Sequence, residues 1–413
     1  MDMAKPIIRF KGYQDDWEQR KLENFGKATG GTSIESEFSE DGIYKVISIG
    51  SYSENSVYND QGIRAIKSDK TSNRVLNKND LTMILNDKTT SGNIIGRVLL
   101  IEKSGIYVYN QRTERIEINI NEYDPVFLYE MFNAPNIREK IIKQAQGNTQ
   151  IYVNWSTIAM LDYMIPSKKE QVKIGQFLHS ISNLITLHQR KCDETKKLKK
   201  YMLQKMFPQN GEKVPEIRFS GFTDDWEQRK LEDIAEFSKG SGYSKGDLIE
   251  SGTPIILYGR LYTKYETSIS EVDTYVEAKD GSVYSKGGEV IVPASGETAE
   301  DIARAATVDK SGVILGGDLN VVSPNEDINS AFLAISISHG NSQRELAKKA
   351  QGKSVVHIHN EEIKNLVVPF PANAEQNKIV EYFSNLDHLI TLHQRELENL
   401  QNIKKFMLGK MFV

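Results

Sequence analysis

The sequence contains a single cysteine, Cys192, and lacks any long apolar run. One cysteine excludes a disulfide within the chain and a zinc site built from several cysteines. A membrane-spanning helix needs about 20 consecutive apolar residues, and no such run is present. The opening residues, MDMAKPIIRFKGY, contain no apolar signal core, so we expect no export. These absences together predict a cytoplasmic protein.

Positive charge is also scarce, because 52 Lys and Arg residues face 56 Asp and Glu residues, which gives a formal net charge of -4. A protein that holds nucleic acid unaided usually carries a basic patch, since phosphate contacts dominate its affinity. The stretch RKCDETKKLKK at 190–200 is a local exception. Any nucleic-acid contact is therefore expected to depend on local clusters or on basic partner subunits.

Recognisable enzyme motifs are missing as well. The chain has no NPPY or DPPY tetrapeptide of the amino-methyltransferase type and no GxxxxGK[ST] phosphate loop. His357 and His359 alternate and would share one face of a strand, but no third metal ligand is evident, which favours a loop pair or a DNA contact. An enzyme with an unrecognised site stays an alternative.

The chain is built as a tandem repeat. Ile8–Leu22 reads IRFKGYQDDWEQRKL, Ile217–Leu231 reads IRFSGFTDDWEQRKL, and three of these fifteen positions differ. The hexapeptide ITLHQR occurs at Ile185 and again at Ile390. Between these blocks, 30–150 and 240–355 diverge. Drift of a duplicated domain alone would spread differences evenly, so the sharp boundaries favour one shared frame that carries two different inserts.

Each copy ends in a predicted long helix, the first over Lys169–Met206. A proline precedes each helix, Pro166 or Pro371, and a Glu-Gln pair follows it; a proline just before a helix is a start signal. Apolar residues at alternating spacings of four and three predict a coiled-coil seam, made of Ile174, Leu178, Ile181, Ile185, Ile379, Phe383, Leu386, Ile390 and Leu397. In the first copy Leu184, Leu187 and Leu198 widen this stripe. The helices are expected to pair antiparallel, and a pair that only joins two domains or makes a dimer is the alternative.

The inserts have a different pattern, with short β-rich runs separated by Gly, Asn, Asp and Ser. The predicted strands are Ile43–Ile49, Leu81–Leu85, Val98–Ile101, Ile116–Ile120, Pro254–Tyr258, Glu289–Val292, Ala306–Val308 and Leu319–Val322. One helix is predicted to close each insert, over Phe127–Gln144 and Ser330–Lys349, with Gly147 and Gly352 suited to the position after a helix end. The acidic pair before each WEQRKL block predicts a helix cap.

The repeated blocks, with P....EQ.KI ahead of each ITLHQR helix and KMF after it, resemble the specificity subunits of type I restriction-modification systems, notably their staphylococcal-like branch. The resemblance implies an α+β fold over the whole chain. Two mostly-β target recognition domains, at 1–163 and 210–368, would be joined by two conserved spacer helices, at 164–209 and 369–413, that form an antiparallel coiled coil with pseudo-twofold symmetry.

The same resemblance implies a non-catalytic function. Each recognition domain would read one half of an asymmetric bipartite site in double-stranded DNA, while the helices set the spacer and dock two modification subunits. Those partners would use S-adenosylmethionine to methylate adenine, and two restriction subunits would use ATP and Mg to translocate and cut DNA. No cofactor or metal is expected in this chain. A structural coiled-coil adaptor without a nucleic-acid role is the alternative.

Candidate DNA contacts are loop residues whose side chains can hold phosphates or read base edges. In the first insert they are Lys88, Thr89, Thr90, Asn93, Arg97, Asn148, Thr149, Gln150 and Tyr152. In the second they are Tyr258, Arg260, Tyr262, Lys264, Ser295, Thr298, Lys353, Ser354, His357 and His359.

Overall fold

The computed structural model describes residues 5–209, 211–352 and 355–413. The chain divides into two units, the first made of Met1–Gln189 with Gln394–Val413 and the second of Arg190–His393. Each unit therefore combines one insert with a part of each long helix. The bounds of the four predicted segments stay a prediction, but the division explains why both copies of the helix are needed to complete either unit.

In the first half of the chain the strands are short. They are β1 (Glu18–Lys21), β2 (Gly26–Gly30), β3 (Tyr44–Ile47), β4 (Arg64–Ala65), β5 (Leu81–Ile84), β6 (Asn86–Asp87), β7 (Val98–Leu100), β8 (Tyr107–Tyr109), β9 (Thr113–Ile118), β10 (Ile151–Tyr152) and β11 (Asp162–Ile165). The helices are α1 (Asp69–Ser72), α2 (Pro125–Asn133), α3 (Pro135–Ile142), α4 (Trp155–Ile158) and α5 (Lys168–Lys205). A sheet in the order β2-β9-β5-β7 packs against α2 and α3, and a smaller sheet has the order β4-β3-β8.

The second half repeats this plan with different strands. They are β12 (Glu227–Lys230), β13 (Ala235–Lys239), β14 (Leu248–Ile249), β15 (Thr253–Ile256), β16 (Ser268–Ile269), β17 (Tyr275–Val276), β18 (Glu289–Pro293), β19 (Ser295–Gly296), β20 (Ala306–Val308), β21 (Ile314–Leu315), β22 (Leu319–Pro324), β23 (Val356–His357) and β24 (Val367–Phe370). The helices are α6 (Arg260–Thr263), α7 (Ala299–Ile302), α8 (Ser330–Ser338), α9 (Gly340–Lys349), α10 (Asn360–Lys364) and α11 (Asn373–Met411). The main sheet has the order β13-β22-β18-β20-β16. A strand lies at each of the eight predicted runs.

The helix that was expected to close each insert is in fact two helices. In the first unit Pro135 starts α3 directly after the end of α2, because proline cannot continue the backbone hydrogen bonds of the preceding helix. In the second unit Gly340 has a φ of +67°, a left-handed conformation that ends one helix and lets the chain turn into the next.

The WEQRKL blocks form strands, so the predicted helix caps before them were wrong. β1 pairs antiparallel with β11, and β12 pairs antiparallel with β24 in the same way. Because β11 and β24 lead directly into the long helices, each WEQRKL block closes its own repeat onto the start of its helix. Trp17 and Trp226, which begin the blocks, are buried in the cores of their units.

A buried ion pair holds each IRF block against its long helix. Arg9 donates from Nε and Nη2 to the two carboxylate oxygens of Glu170, at 2.7 and 2.8 Å. Arg218 binds Glu375 with the same atoms at the same distances. Both carboxylates are only 1% exposed, and they raise the pKa of each arginine by hydrogen bonding to it. A bidentate pair of this kind fixes the geometry as well as the charge.

The glutamine that follows each of these glutamates ties the helix to the insert. Gln171 accepts a hydrogen bond from the backbone N–H of Asp124, the residue that caps α2, and donates to the carbonyl of Pro166. Gln376 accepts from Asn329, which caps α8, and donates to the proline carbonyl before its own helix. The repeated Glu-Gln pair therefore joins three parts of each unit at one place.

Within each unit the two helical segments run antiparallel, as predicted. In the second unit Lys199 contacts Asp387, whereas Phe207, just beyond the end of α5, contacts Phe383, which lies earlier in α11. In the first unit residues near the start of α5 share a core with the end of α11. Of the predicted seam, Ile174, Leu178, Ile181, Ile379, Phe383 and Leu386 are buried, and Ile185, Ile390 and Leu397 are half-buried.

The predicted widening of this seam was wrong at Leu184 and Leu198, which lie on the exposed side of α5, whereas Leu187 is half-buried. The matching lysines Lys199 and Lys404 instead occupy the helix pair, one in each unit. Lys199 donates to both oxygens of Asp387, at 2.6 and 2.8 Å. Lys404 donates to the hydroxyl of Ser182 at 2.7 Å and lies 3.0 Å from a carboxylate oxygen of the buried Glu130 on α2.

We predict that Arg9→Met destabilises the first unit by about 3–5 kcal/mol, because Glu170 keeps a buried charge without its partner. The free energy of unfolding from urea titration measures this. Lys5→Met is the matched control, since the Lys5–Asp16 pair in the same unit is about half exposed and is expected to contribute less than about 1 kcal/mol. Equal effects of the two substitutions would contradict the role assigned to the buried pair.

Candidate nucleic-acid interface

A short ladder in the first unit brings two of the predicted loops together. β6 pairs antiparallel with β10, with Asp87 opposite Ile151. The loop that follows β6, at 88–97, therefore lies beside the loop that precedes β10, at 147–150. Lys88, Thr89, Thr90, Asn93, Asn148, Thr149, Gln150 and Tyr152 are exposed on these loops.

The second unit has an equivalent ladder between β19 and β23. Ser295 is opposite His357, and Gly296 is opposite Val356. The loop after β19, which includes Thr298, therefore leaves the ladder at the end where Val356 begins β23. The predicted contacts Lys353 and Ser354 fall outside the described residues. Separate parts of the sequence thus meet at one ladder in each insert.

Gly147 and Gly352 lie in the turns of these ladders and not after helix ends, since α3 ends at Ile142 and α9 at Lys349. Their φ values are +101° and +129°. A Cβ at either position would overlap a backbone carbonyl oxygen, that of Gln150 or of Val355. Glycine is required in both turns because the chain folds back on itself too closely for a side chain.

The side chain of Asp87 fixes the conformation of the loop at 88–97. Its buried carboxylate accepts hydrogen bonds from the backbone N–H and the hydroxyl of Thr89, both at 2.9 Å, and from the N–H of Ile94 at 3.1 Å. This Asx-type turn directs Lys88 and Thr90 outward. The Asn-Asp pair before Lys-Thr-Thr was a turn signal in the sequence that could have identified Asp87.

Two arginines without an ion pair among the described residues support the same loop. Arg97 donates from Nε to the carbonyl of Asn93 and from Nη1 to the hydroxyl of Ser56, at 3.1 and 3.0 Å. Arg138, on α3, donates to three carbonyls of the loop. Burial lowers the pKa of both, that of Arg138 to about 10. Nothing in the local sequence pattern identified Arg138.

In the second unit aromatic and imidazole rings surround the ladder. The Tyr262 hydroxyl donates to the carbonyl of Ser295 at 2.7 Å. The exposed Tyr258 ring lies edge-on to the Tyr262 ring. The exposed rings of His357 and His359 lie nearly parallel, with centroids 6.4 Å apart. His357 Nδ1 is 3.1 Å from the hydroxyl of Ser295. No group of three metal-ligating side chains occurs among the residues that the structure describes.

Two other predicted residues of this unit are engaged in ion pairs. Arg260 is buried and donates to Asp273 at 2.6 Å, to Glu266 at 2.9 Å and to the carbonyl of Glu271 at 2.7 Å. Its guanidinium is thus poorly placed to reach DNA, and we assign it a structural role. Lys264 is exposed and shares Asp273 with it. Thr298 is exposed and accepts a hydrogen bond from Asp301 at the start of α7.

Three comparisons relate the chain to known proteins. The profile of the type I restriction modification DNA specificity domain matches residues 14–197 and 223–402. A type I restriction enzyme specificity subunit of Methanocaldococcus jannaschii, MjaVIII, is 22% identical over 344 residues, which cover 80% of this chain and 77% of that protein.

Two solved structures have a similar fold. The crystal structure of a type I restriction-modification S subunit from M. genitalium aligns over 99% of both chains with a TM-score of 0.66 and 16% identity. A chain from a structural study of complex assembly and conformational transition of the type I system aligns over 97% of this chain and 98% of its own length, with a TM-score of 0.51 and 14% identity. In the described part of the present chain, no helix is both long enough and apolar enough to cross a membrane.

We predict that Gly296→Ala disturbs the second ladder and lowers the melting temperature of the protein. A Cβ at this position would lie 2.9 Å from the Tyr262 hydroxyl and 3.0 Å from Cβ of Ile302, and such overpacking costs about 1–3 kcal/mol. Gly242→Ala is the control, since a Cβ there meets no atom within 4 Å. A thermal melt in which both variants match the unaltered protein would contradict the close approach at Gly296.

Proposed function

The chain belongs to the type I restriction-modification DNA specificity family, and from this premise we propose that each insert reads one half of a bipartite DNA site. The observation that carries the proposal is the ladder that recurs in both inserts with different exposed side chains. In the first, amides, hydroxyls and a lysine are exposed; in the second, imidazoles, a tyrosine and hydroxyls. Different donor and acceptor sets suit different base sequences.

Phosphate contacts accompany these base contacts in the proposal. Lys88 is exposed in the loop beside the first ladder, and Lys264 is exposed just after α6 in the second insert. Lysines at such places position a protein on the duplex without selecting its sequence. We keep Arg97 in this role and leave out the buried Arg260. The net charge of -4 is consistent with a DNA reader whose partners supply much of the positive surface.

The long helices are proposed to set the distance between the half-sites. α5 has 38 residues and is therefore about 57 Å long at about 1.5 Å per residue. One turn of DNA is about 34–36 Å, so a helix of this length suits half-sites on successive stretches of one duplex. The spacer between them would then change with the length of the helices.

Exposed apolar residues on the helices suit a second role, the docking of modification subunits. In the first unit these residues are Leu184, Ile403 and Phe406, and in the second they are the matching Leu389, Leu198 and Tyr201, each 42–54% exposed. We name each set the helix patch of its unit. Since the repeated frame carries the same patch twice, two copies of one partner are expected on each chain.

The wider complex in the proposal follows the family. Two modification subunits, with S-adenosylmethionine, methylate adenine, and two restriction subunits use ATP and Mg to move and cut unmodified DNA. This chain supplies no catalytic group and no cofactor site, and acts in the cytoplasm. Its blocks resemble the staphylococcal-like branch of the family, and that finer assignment is also part of the proposal.

Adenine methylation mapped across a genome tests the DNA-reading role. With this chain and a modification subunit co-expressed, we expect a split, asymmetric methylated motif that disappears when this chain is omitted. A methylation pattern that does not depend on this chain would contradict the proposal and favour the alternative of a structural adaptor.

We predict that Tyr201→Glu and Phe406→Glu each reduce the number of bound modification subunits from two to one, because each places a charge in one helix patch. Native mass spectrometry of the purified complex counts the subunits directly. Lys196→Glu and Gln401→Glu are matched controls, since at 3.6 residues per turn these exposed positions lie roughly opposite Leu198 and Ile403 on their helices. Two bound subunits in both single patch variants would contradict docking at the patches.

A further inference from the structure

We propose that Arg138 and Tyr262 are specificity-determining positioning residues, each of which holds the backbone of the DNA-reading loop in its own insert. The inference rests on the proposed function and deepens it. Arg138 donates hydrogen bonds to backbone carbonyls of the loop that follows β6, and Tyr262 donates to a backbone carbonyl of β19, the strand that leads into the second loop. They differ in chemical type, although the ladders they support are equivalent.

Arg138 supports the first loop from α3. Its Nη2 lies 3.2 Å from the carbonyl oxygen of Gly92, 3.0 Å from that of Asn93 and 3.0 Å from that of Ile95. The side chain is 8% exposed. Three carbonyls within four residues therefore converge on one nitrogen, which fixes the path of the chain between Asp87 and Arg97.

Burial of a guanidinium costs free energy, since taking a charge out of water is unfavourable unless the charge is paired. Arg138 forms no ion pair within the described residues, and its Nε has no hydrogen-bond partner there. Burial and the charge of Arg97 lower its pKa, while the charges of Asp87 and Glu54 only partly offset them. An apolar side chain of similar length would fill the same volume. The hydrogen bonds to the loop are therefore the property that requires arginine.

Tyr262 has the corresponding role in the second unit. Its hydroxyl donates to the carbonyl of Ser295 at 2.7 Å, and Arg304 lies over its ring with the guanidinium carbon 5.8 Å from the centroid. Because Ser295 is opposite His357 in the ladder, any movement of its backbone also displaces the imidazole. Through this one carbonyl, the Tyr262 hydroxyl thus holds two candidate base-reading residues in place, Ser295 and His357.

Holding a loop before DNA arrives increases discrimination between base sequences. A rigid loop loses little entropy when it binds the correct site and cannot adjust to a mismatched one. A loop without its support can adapt to several base sequences. Loss of either residue is therefore expected to relax the specificity at one half-site and leave the other unchanged.

The test is adenine methylation mapping of the complex with its modification subunit, with Arg138→Met and Tyr262→Phe compared. Arg138→Met should reduce the preference for the correct bases in one half-site by about tenfold, the scale of a single base mismatch. Tyr262→Phe should act on the opposite half-site only. Each variant is the control for the other, and Arg138→Lys, which keeps a donor cation, should recover part of the preference.

The outcomes separate this inference from the proposed function. If methylation depends on the chain but neither variant changes the motif, or if each variant relaxes both half-sites, the positioning roles are wrong while DNA reading stands. If the motif persists without the chain, DNA reading itself fails. Should Arg138→Met not fold, Arg138→Lys and Tyr262→Phe still decide, since an unchanged motif in both would overturn the inference.

Discussion

The buried pair of arginine and glutamate at the start of each long helix is the interaction on which the rest of the architecture depends. It fixes the IRF block to the helix, and the adjacent glutamine fixes the helix to the cap of α2 or α8. A carboxylate buried this deeply needs its partner in one geometry. The same geometry in both units therefore gives two different inserts the same orientation on their helices.

This constraint explains where the sequence is repeated and where it varies. The repeated blocks supply the ion pair, the Glu-Gln contacts and the strands β1 and β12, which pair with β11 and β24. The residues between them are free to change as long as the ladder and the closing helices persist. The lysines at matching positions of the two long helices also have different partners: Lys199 binds Asp387 of α11, whereas Lys404 binds Glu130 of α2 and Ser182 of α5.

Patterns with a clear period were the most predictable part of the molecule. Ile174, Leu178 and Phe383 are buried as the heptad spacing indicated, and a strand lies at each of the eight predicted runs, although β2, β13 and β16 of the main sheets were not predicted. Periodicity could not decide which flank of a helix is covered, so Leu184 and Leu198 were placed on the wrong side. The WEQRKL strand also escaped prediction, since its pairing partner lies more than a hundred residues away.

The predicted site residues were chosen as loop residues. Tertiary contacts, which the sequence does not show, decide which of their side chains are exposed. The sequence located the two ladder loops in each insert, but not the pairing that brings them together. Arg260 was chosen as a residue type that can hold DNA, yet it is buried at the start of α6 and three acceptors around it occupy the guanidinium. Arg138 looked like an ordinary helix residue, because its role is visible only once α3 is packed beneath the loop.

The central claim is that one frame positions two independent readers. Exchange of 240–355 for the corresponding insert of another specificity subunit, followed by methylation mapping, tests it most directly. One half of the methylated motif is expected to change while the other half stays the same. A change in both halves, or in neither, would contradict it.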